Sequence, residues 1–326
     1  MRLFLYVSWL LAALFSCGAS AAEPPSAAAL LQQMQRAYHH YNFELSMVKV
    51  RQSDIEPLRF SHAQLGNREL SHLIYLNGRP SEYLQRGDEI SFFESGHDPY
   101  TLKGATMPGL WNALLDMELE RVLKSYDPVV TGRSRIAGMA AQMIRLVPKD
   151  GTKYGFMLWL EQESGLLLRM DLLDGDGNLV EQYLGVDLRI FPEPSPWLKQ
   201  LDKASLPPAV RVKEAYTEPQ VPLAWAPAWV PAGFSVASSD RHQLVGTSQT
   251  VDYLLLTDGL VDVSIYISPR DSTEPLQRQL LMQGATSLLR FVNDHNVEVT
   301  IVGEIPAATA QRIAGSLHPL ARGVTP

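Results

Sequence analysis

Residues 192–231 carry 9 of the 22 prolines in this 326-residue chain. Proline fixes φ and has no amide hydrogen, so such a density fits neither the middle of a helix nor the interior of a sheet. The segment reads as a linker of restricted flexibility. It splits the chain into two parts, each long enough to bury a core of its own. The division predicted is 1–21 as an export signal, 22–191 as a first domain, 192–222 as the linker and 223–326 as a second domain.

Before the linker, the pattern alternates between two periods. Leu30, Leu31, Met34 and Ala37 recur at helical spacing and predict a helix from Ser26 to about Tyr41. From Phe43 the period shortens toward two, and short runs are separated by Asn67, Asn77-Gly78 and Gly87-Asp88. That is the pattern of an antiparallel meander. A second helix is expected over Gly109–Ser125, after Pro108, and strands then resume from Val129 to Ile190. Asp174-Gly175-Asp176-Gly177-Asn178 invites a calcium-loop reading, but a calcium loop needs glycine sixth and glutamate twelfth, where this chain has Leu179 and Gly185. A tight hairpin turn fits better. After the linker come strands near 235–242, 250–257, 261–268, 287–291 and 297–302. Helices are expected near Pro275–Met282 and from Ala307 to Leu317. The fold class implied is α+β, with two domains of one sheet each and helices packed on a face.

Arg2, the 13-residue apolar run Leu3–Phe15 and the small-x-small motif Ala19-Ser20-Ala21 have the order of a secretory signal cleaved after Ala21. The run is too short to span a bilayer, which takes about 20 residues. Cys17 is the single cysteine, and Leu14-Phe15-Ser16-Cys17 offers a loose lipobox as the competing reading. The formal charge of −7, or −8 once Arg2 is removed, argues against general nucleic-acid binding.

No HExxH, GxSxG, CxxC, Walker A or GxGxxG pattern occurs. His39 and His40 are adjacent and point about 100° apart on a helix, so they cannot hold one metal from the same face. No catalytic residue, cofactor or metal is therefore expected. What stands out is the stretch Trp225–Phe234 (WAPAWVPAGF), followed by Thr257-Asp258-Gly259-Leu260 and Gly303-Glu304-Ile305-Pro306. Aromatic anchors on stiff proline-bounded backbone suit a binding surface, and tryptophan is enriched at the energetic centres of interfaces. Trp225 and Trp229, with Asp258 and Leu260, are the candidate partner-binding residues. The two rings packing the linker onto the second domain is the equal alternative.

In the first domain Tyr154, Phe156, Leu158 and Leu160 share one strand face, as do Leu166, Leu168 and Met170. With Leu110, Trp111, Leu114 and Leu115 of the second helix they describe either an ordinary sheet core or the walls of an acyl-sized cavity. Alternation alone does not separate the two. The candidate lipid-binding set is Leu110, Trp111, Leu114, Leu115, Tyr154, Phe156, Leu158, Leu166 and Leu168.

The chain resembles the RseB/MucB family of exported regulators of the envelope-stress sigma factor. The resemblance rests on Arg135-Ile136-Ala137-Gly138, Pro148-Lys149-Asp150, the run from Tyr154 to Leu160 and Gly165-Leu166-Leu167-Leu168 in the first part. In the second it rests on Trp229-Val230-Pro231-Ala232-Gly233-Phe234, Asp258-Gly259-Leu260, Gly284-Ala285-Thr286 and the run from Val299 to Pro306. Phe43-Glu44 and Leu254–Thr257 depart from the family pattern. The resemblance implies a large first domain similar to the carriers LolA and LolB, a half-open antiparallel β-barrel covered by helices. It also implies a smaller α+β domain that, with the linker, holds the periplasmic segment of an anti-sigma factor of the RseA/MucA type. Lipid or lipopolysaccharide acyl chains are the implied signal, and a homo-oligomer is compatible with it. A periplasmic lipoprotein or lipid carrier is the alternative function, and nothing in the sequence favours an enzyme.

Overall fold

The computed structural model describes residues 25–52, 54–211, 224–243, 250–270 and 277–320. The expected export signal and Cys17 lie outside the described residues. Helix α1 (Ala27–His40) starts at Ser26, whose hydroxyl accepts the Ala29 N–H at 3.2 Å, and buries Leu30, Leu31, Met34, Ala37 and Tyr38 along one stripe. A meander follows as β1 (Asn42–Arg51), β2 (Asp54–Leu65), β3 (Arg68–Tyr75), β4 (Ser81–Arg86), β5 (Glu89–Glu94) and β6 (Tyr100–Lys103). Two helices, α2 (Leu110–Leu115) and α3 (Leu119–Ser125), lead into β7 (Tyr126–Ile136), β8 (Met139–Pro148), β9 (Gly155–Glu161), β10 (Leu167–Leu173) and β11 (Leu179–Phe191). The single helix expected over Gly109–Ser125 is therefore broken at Asp116-Met117-Glu118. Gln35 of α1 donates its side-chain amide to the carbonyl of Met117 at 2.6 Å, which leaves that carbonyl bonded outside any helix, and Met117 is buried in the core.

The proline-rich segment does more than space the domains. Ser195 caps α4 (Pro196–Leu201), with proline in its first turn, and Leu198 is buried among Ala63, Leu70 and Leu84 on the other face of the sheet. Arg86 donates to the carbonyls of Asp202 and Ala204, and β12 (Ala209–Arg211) adds itself parallel to β6. The resulting sheet has twelve strands in the order β12-β6-β5-β4-β3-β2-β1-β11-β10-β9-β8-β7. All its neighbours but β12 and β6 are antiparallel. Its two end strands do not meet, so the domain is a half-open barrel with α1, α2 and α3 closing over its apolar face. The loop at Asp174 is a hairpin turn closed on itself: the Asp174 carboxylate accepts the amides of Asp176 and Asn178.

The second domain begins at β13 (Trp225–Pro227) and continues through β14 (Ser235–Gln243), β15 (Thr250–Thr257), β16 (Asp262–Pro269), β17 (Gln279–Gln283), β18 (Thr286–Val292) and β19 (Val297–Gly303). It ends with α5 (Ala307–Ser316) and β20 (Leu317–Pro319). Six strands form an antiparallel sheet in the order β14-β15-β16-β19-β18-β17, α5 packs on β18 and β19, and β13 pairs with β20. No helix forms over 277–282, the described part of the helix expected near Pro275–Met282; residues 279–283 are strand β17, turned back on β18 through Gly284 at φ +57°, and residues 275 and 276 lie outside the described ones. All five residues of β17 are exposed, so a helix at this position would have had no face to bury.

Candidate functional site

The nine candidate lipid-binding residues converge. Leu110, Trp111, Leu114, Leu115, Tyr154, Phe156, Leu158, Leu166 and Leu168 are all buried in one continuous apolar cluster between the helices and the sheet. Trp111 lies 5.9 Å from the Tyr183 ring, centroid to centroid. The alternation read from β9 is incomplete, because Trp159 on the opposite face is buried too, under the Arg169 guanidinium at 4.2 Å. Beside the amino end of α1, Leu30, Gln33, Arg133, Gln142 and Leu160 line a cleft of about 300 Å³.

The four candidate partner-binding residues have unequal surroundings. Trp225 is buried in β13 with its ring edge-on to His295 at 5.6 Å. Asp258 is wholly buried, and its Oδ1 accepts the amides of Leu260 and Val261 at 3.1 and 2.9 Å, which shapes the turn through Gly259 at φ +90°. Leu260 is buried with it. Trp229 is only half-buried; the Arg312 guanidinium stacks on its ring at 3.8 Å, a cation–π contact.

Asp258 also leads to a feature that the sequence reading missed. Its Oδ2 faces Lys153 Nζ of the first domain at 3.3 Å, and both side chains are sealed from solvent. Lys153 donates in addition to the carbonyl of Ala232 at 2.7 Å and lies over the rings of Tyr126 and Phe234. Burial pushes the Lys153 ammonium down from its ordinary value, while Asp258 opposes that shift. Around this pair Arg121 of α3 donates to the Thr257 carbonyl at 2.8 Å and to Ser235 Oγ at 2.7 Å. Asp150 accepts the Ala232 amide at 2.7 Å, and Thr309 of α5 reaches the Thr152 carbonyl at 2.5 Å. One apolar cluster runs through both domains, and they meet in a seam of polar contacts centred on the buried Lys153–Asp258 pair. Its signal in the sequence was a lysine next to an apolar row and an aspartate inside a buried turn, but one sequence does not pair them.

His39 of α1 hydrogen-bonds the Glu69 carboxylate at 3.0 Å, His62 Nε2 of β2 lies 3.2 Å from its other oxygen while its Nδ1 bonds the Tyr41 carbonyl, and His72 bonds Glu82 at 2.6 Å. Among the described residues no group of three His, Cys, Asp or Glu side chains is placed to hold a metal ion. No described helix is long and apolar enough to cross a membrane.

Comparison with known proteins decides the family. Sequence models of the MucB/RseB N-terminal and C-terminal domains match residues 26–210 and 219–318. The chain belongs to the MucB/RseB family. The sigma-E factor regulatory protein RseB of Escherichia coli K12 is 38% identical over 305 residues, covering 93% of this chain and 93% of that protein. RseB of Salmonella typhimurium is 36% identical over 317 residues, covering 97% and 98%. In the solved complex of MucA and MucB from Pseudomonas aeruginosa the matched chain is 24% identical, with a TM-score of 0.72 over 90% of this chain and 99% of that one. The fold agrees with that structure, and the curated relatives are named as regulatory proteins.

Proposed function

We propose that this chain is a periplasmic negative regulator of an envelope-stress sigma factor. It grips the periplasmic segment of a membrane anti-sigma factor, shields it from regulated proteolysis and lets go when lipid or lipopolysaccharide acyl chains enter the first domain. The observation that carries this reading is 38% identity along 93% of the chain to a protein named a sigma-E regulator. A structural neighbour is bound to MucA, and that supports the kind of partner. Export by a cleaved leader agrees with the order of residues 1–21.

The energetics are sufficient. Inverting a 1:99 population takes about 5.5 kcal/mol of differential affinity. A buried methylene contributes about 0.8 kcal/mol, so about seven methylenes buried in one state only would do it. Close-packed interiors hold no spare room for an acyl chain, so α2 and α3 must move off the sheet to admit one. At 6 and 7 residues these helices are too short to be stable alone and depend on that packing, which makes them the movable part of the roof.

The test is capture of the full mature chain by the periplasmic segment of a candidate anti-sigma factor, with and without lipopolysaccharide. Capture that falls as lipopolysaccharide rises is expected. No capture at all would refute the regulator, and capture indifferent to saturating lipopolysaccharide would refute lipid sensing. A lipid carrier without partner capture is the second reading, and the buried seam to a whole second domain counts against it.

A further inference from the structure

Helix α3 belongs to both domains at once. Leu119 and Val122 are buried in the same apolar cluster as the proposed lipid-site residues. From the same seven residues Arg121 holds the Thr257 carbonyl and Ser235 Oγ, and Ser125 Oγ donates to the Ala232 carbonyl at 3.2 Å. Glycine is required where the second domain touches this helix. A Cβ on Gly233, at φ +83°, would lie 1.8 Å from Ser125 Oγ, and one on Gly259 would lie 2.9 Å from Arg121 Cδ. The approach is therefore as close as backbone allows. The Lys153–Asp258 pair ties to the same two loops, since Lys153 donates to the Ala232 carbonyl and faces the Asp258 carboxylate.

We propose that α3 is the coupling element of the molecule, with Arg121, Ser125 and Lys153 as the positioning residues that fix the second domain's pose to the state of the first domain's roof. This deepens the functional reading above and rests on it only for what moves the helix. When α3 leaves the sheet, its guanidinium and hydroxyl contacts to Thr257, Ser235 and Ala232 go with it, and the second domain is freed to turn. Coupling between two sites is reciprocal, so undocking the second domain must also loosen α3. That reciprocity gives a readout which simple tethering through the linker would not move.

The experiment uses the full mature chain without partner or lipid. The predicted mature sequence lacks cysteine, so Glu163→Cys and Asp294→Cys, exposed positions one in each domain, can carry spin labels. Distances between them, and amide exchange across α3, are measured in the parent, in Arg121→Ala and in the Lys153→Met/Asp258→Asn pair. In both variants a broadened, longer distance distribution is expected, with at least tenfold faster exchange over Leu119–Ser125 and unchanged exchange in β10. A parental distance distribution, or unchanged exchange in α3, overturns the proposal. If the buried double change prevents folding, Arg121→Ala alone decides, because Arg121 keeps part of its surface in solvent. Neither readout involves partner or lipid. Failure here leaves the regulatory reading standing, and failure of partner capture leaves the coupling standing.

Discussion

At the scale of single residues, the Glu69 carboxylate shows how burial and bonding compete. Burial alone would push its pKa up, but the His39 hydrogen bond and the nearby His62 imidazole outweigh that and bring it down to about 2. The same bond to Glu69 raises His39, against the opposing effect of burial. The signs define a window. The depressed Glu69 stabilises the fold above its ordinary 4.5, and that contribution is lost as pH falls through about 2. The raised His39 stabilises it below its ordinary 6.5, and that contribution is lost as pH climbs through its folded value. The network therefore contributes most between 4.5 and 6.5, with a ceiling of about 3 kcal/mol from Glu69. In thermal melts from pH 2 to pH 7, Glu69→Gln is expected to be less stable than the parent near pH 5, with the gap closing toward pH 2. A gap that stays constant down to pH 2 would show that the carboxylate charge is not the cause. Leu158→Ala, at a fully buried site in β9, should cost about 2–5 kcal/mol in denaturant unfolding. A loss below 1 kcal/mol would mean the roof collapses readily onto the vacated space.

At the scale of elements, periodicity located most strands and the two long helices, because alternation and the 3.6 period report directly which face is buried. It failed where the deciding contact comes from elsewhere in the chain. Nothing local in residues 109–125 announces the break at Asp116, since the amide that meets the Met117 carbonyl belongs to Gln35, about eighty positions earlier. Strand β17 was hidden for another reason. Its apolar residues face solvent rather than a core, and its conformation is set by pairing with β18. Helix α4 was masked by the prolines around it, although Pro196 in a first turn is compatible with a helix. The glycines of the seam make a prediction at this scale. Gly233→Ala places a methyl group against Ser125 in left-handed backbone, so it should lower the denaturation midpoint by an amount equivalent to about 1–3 kcal/mol. Gly175→Ala, with open space around it, serves as the control and should leave the midpoint within about 0.5 kcal/mol. Equal effects at the two sites would remove the close contact as the explanation.

At the scale of the whole molecule, the two-part organisation was readable because proline density and family motifs both mark it. The seam was not, because Lys153 and Asp258 lie 105 positions apart and each has an unremarkable local context. That seam changes what the aromatic segment can do. Trp225, Asp258 and Leu260 are buried, Asp258 against Lys153 of the first domain, and Trp229 is the member of the set that is only half-buried. Trp229→Ala should therefore weaken capture of an anti-sigma segment at least tenfold, about 1.4 kcal/mol, while the circular dichroism spectrum stays parental. Parental capture would confine that ring to stacking on Arg312. If lipid and partner oppose each other through one shared equilibrium, the effect must also run backwards. Saturating the chain with the anti-sigma segment should weaken binding of a fluorescent acyl lipid by the same factor as lipid weakens the partner, measured by titration on one preparation. Two unequal factors would mean that the ligands do not act on a common pair of states, and the roof and the grip would then have to be treated as separate devices.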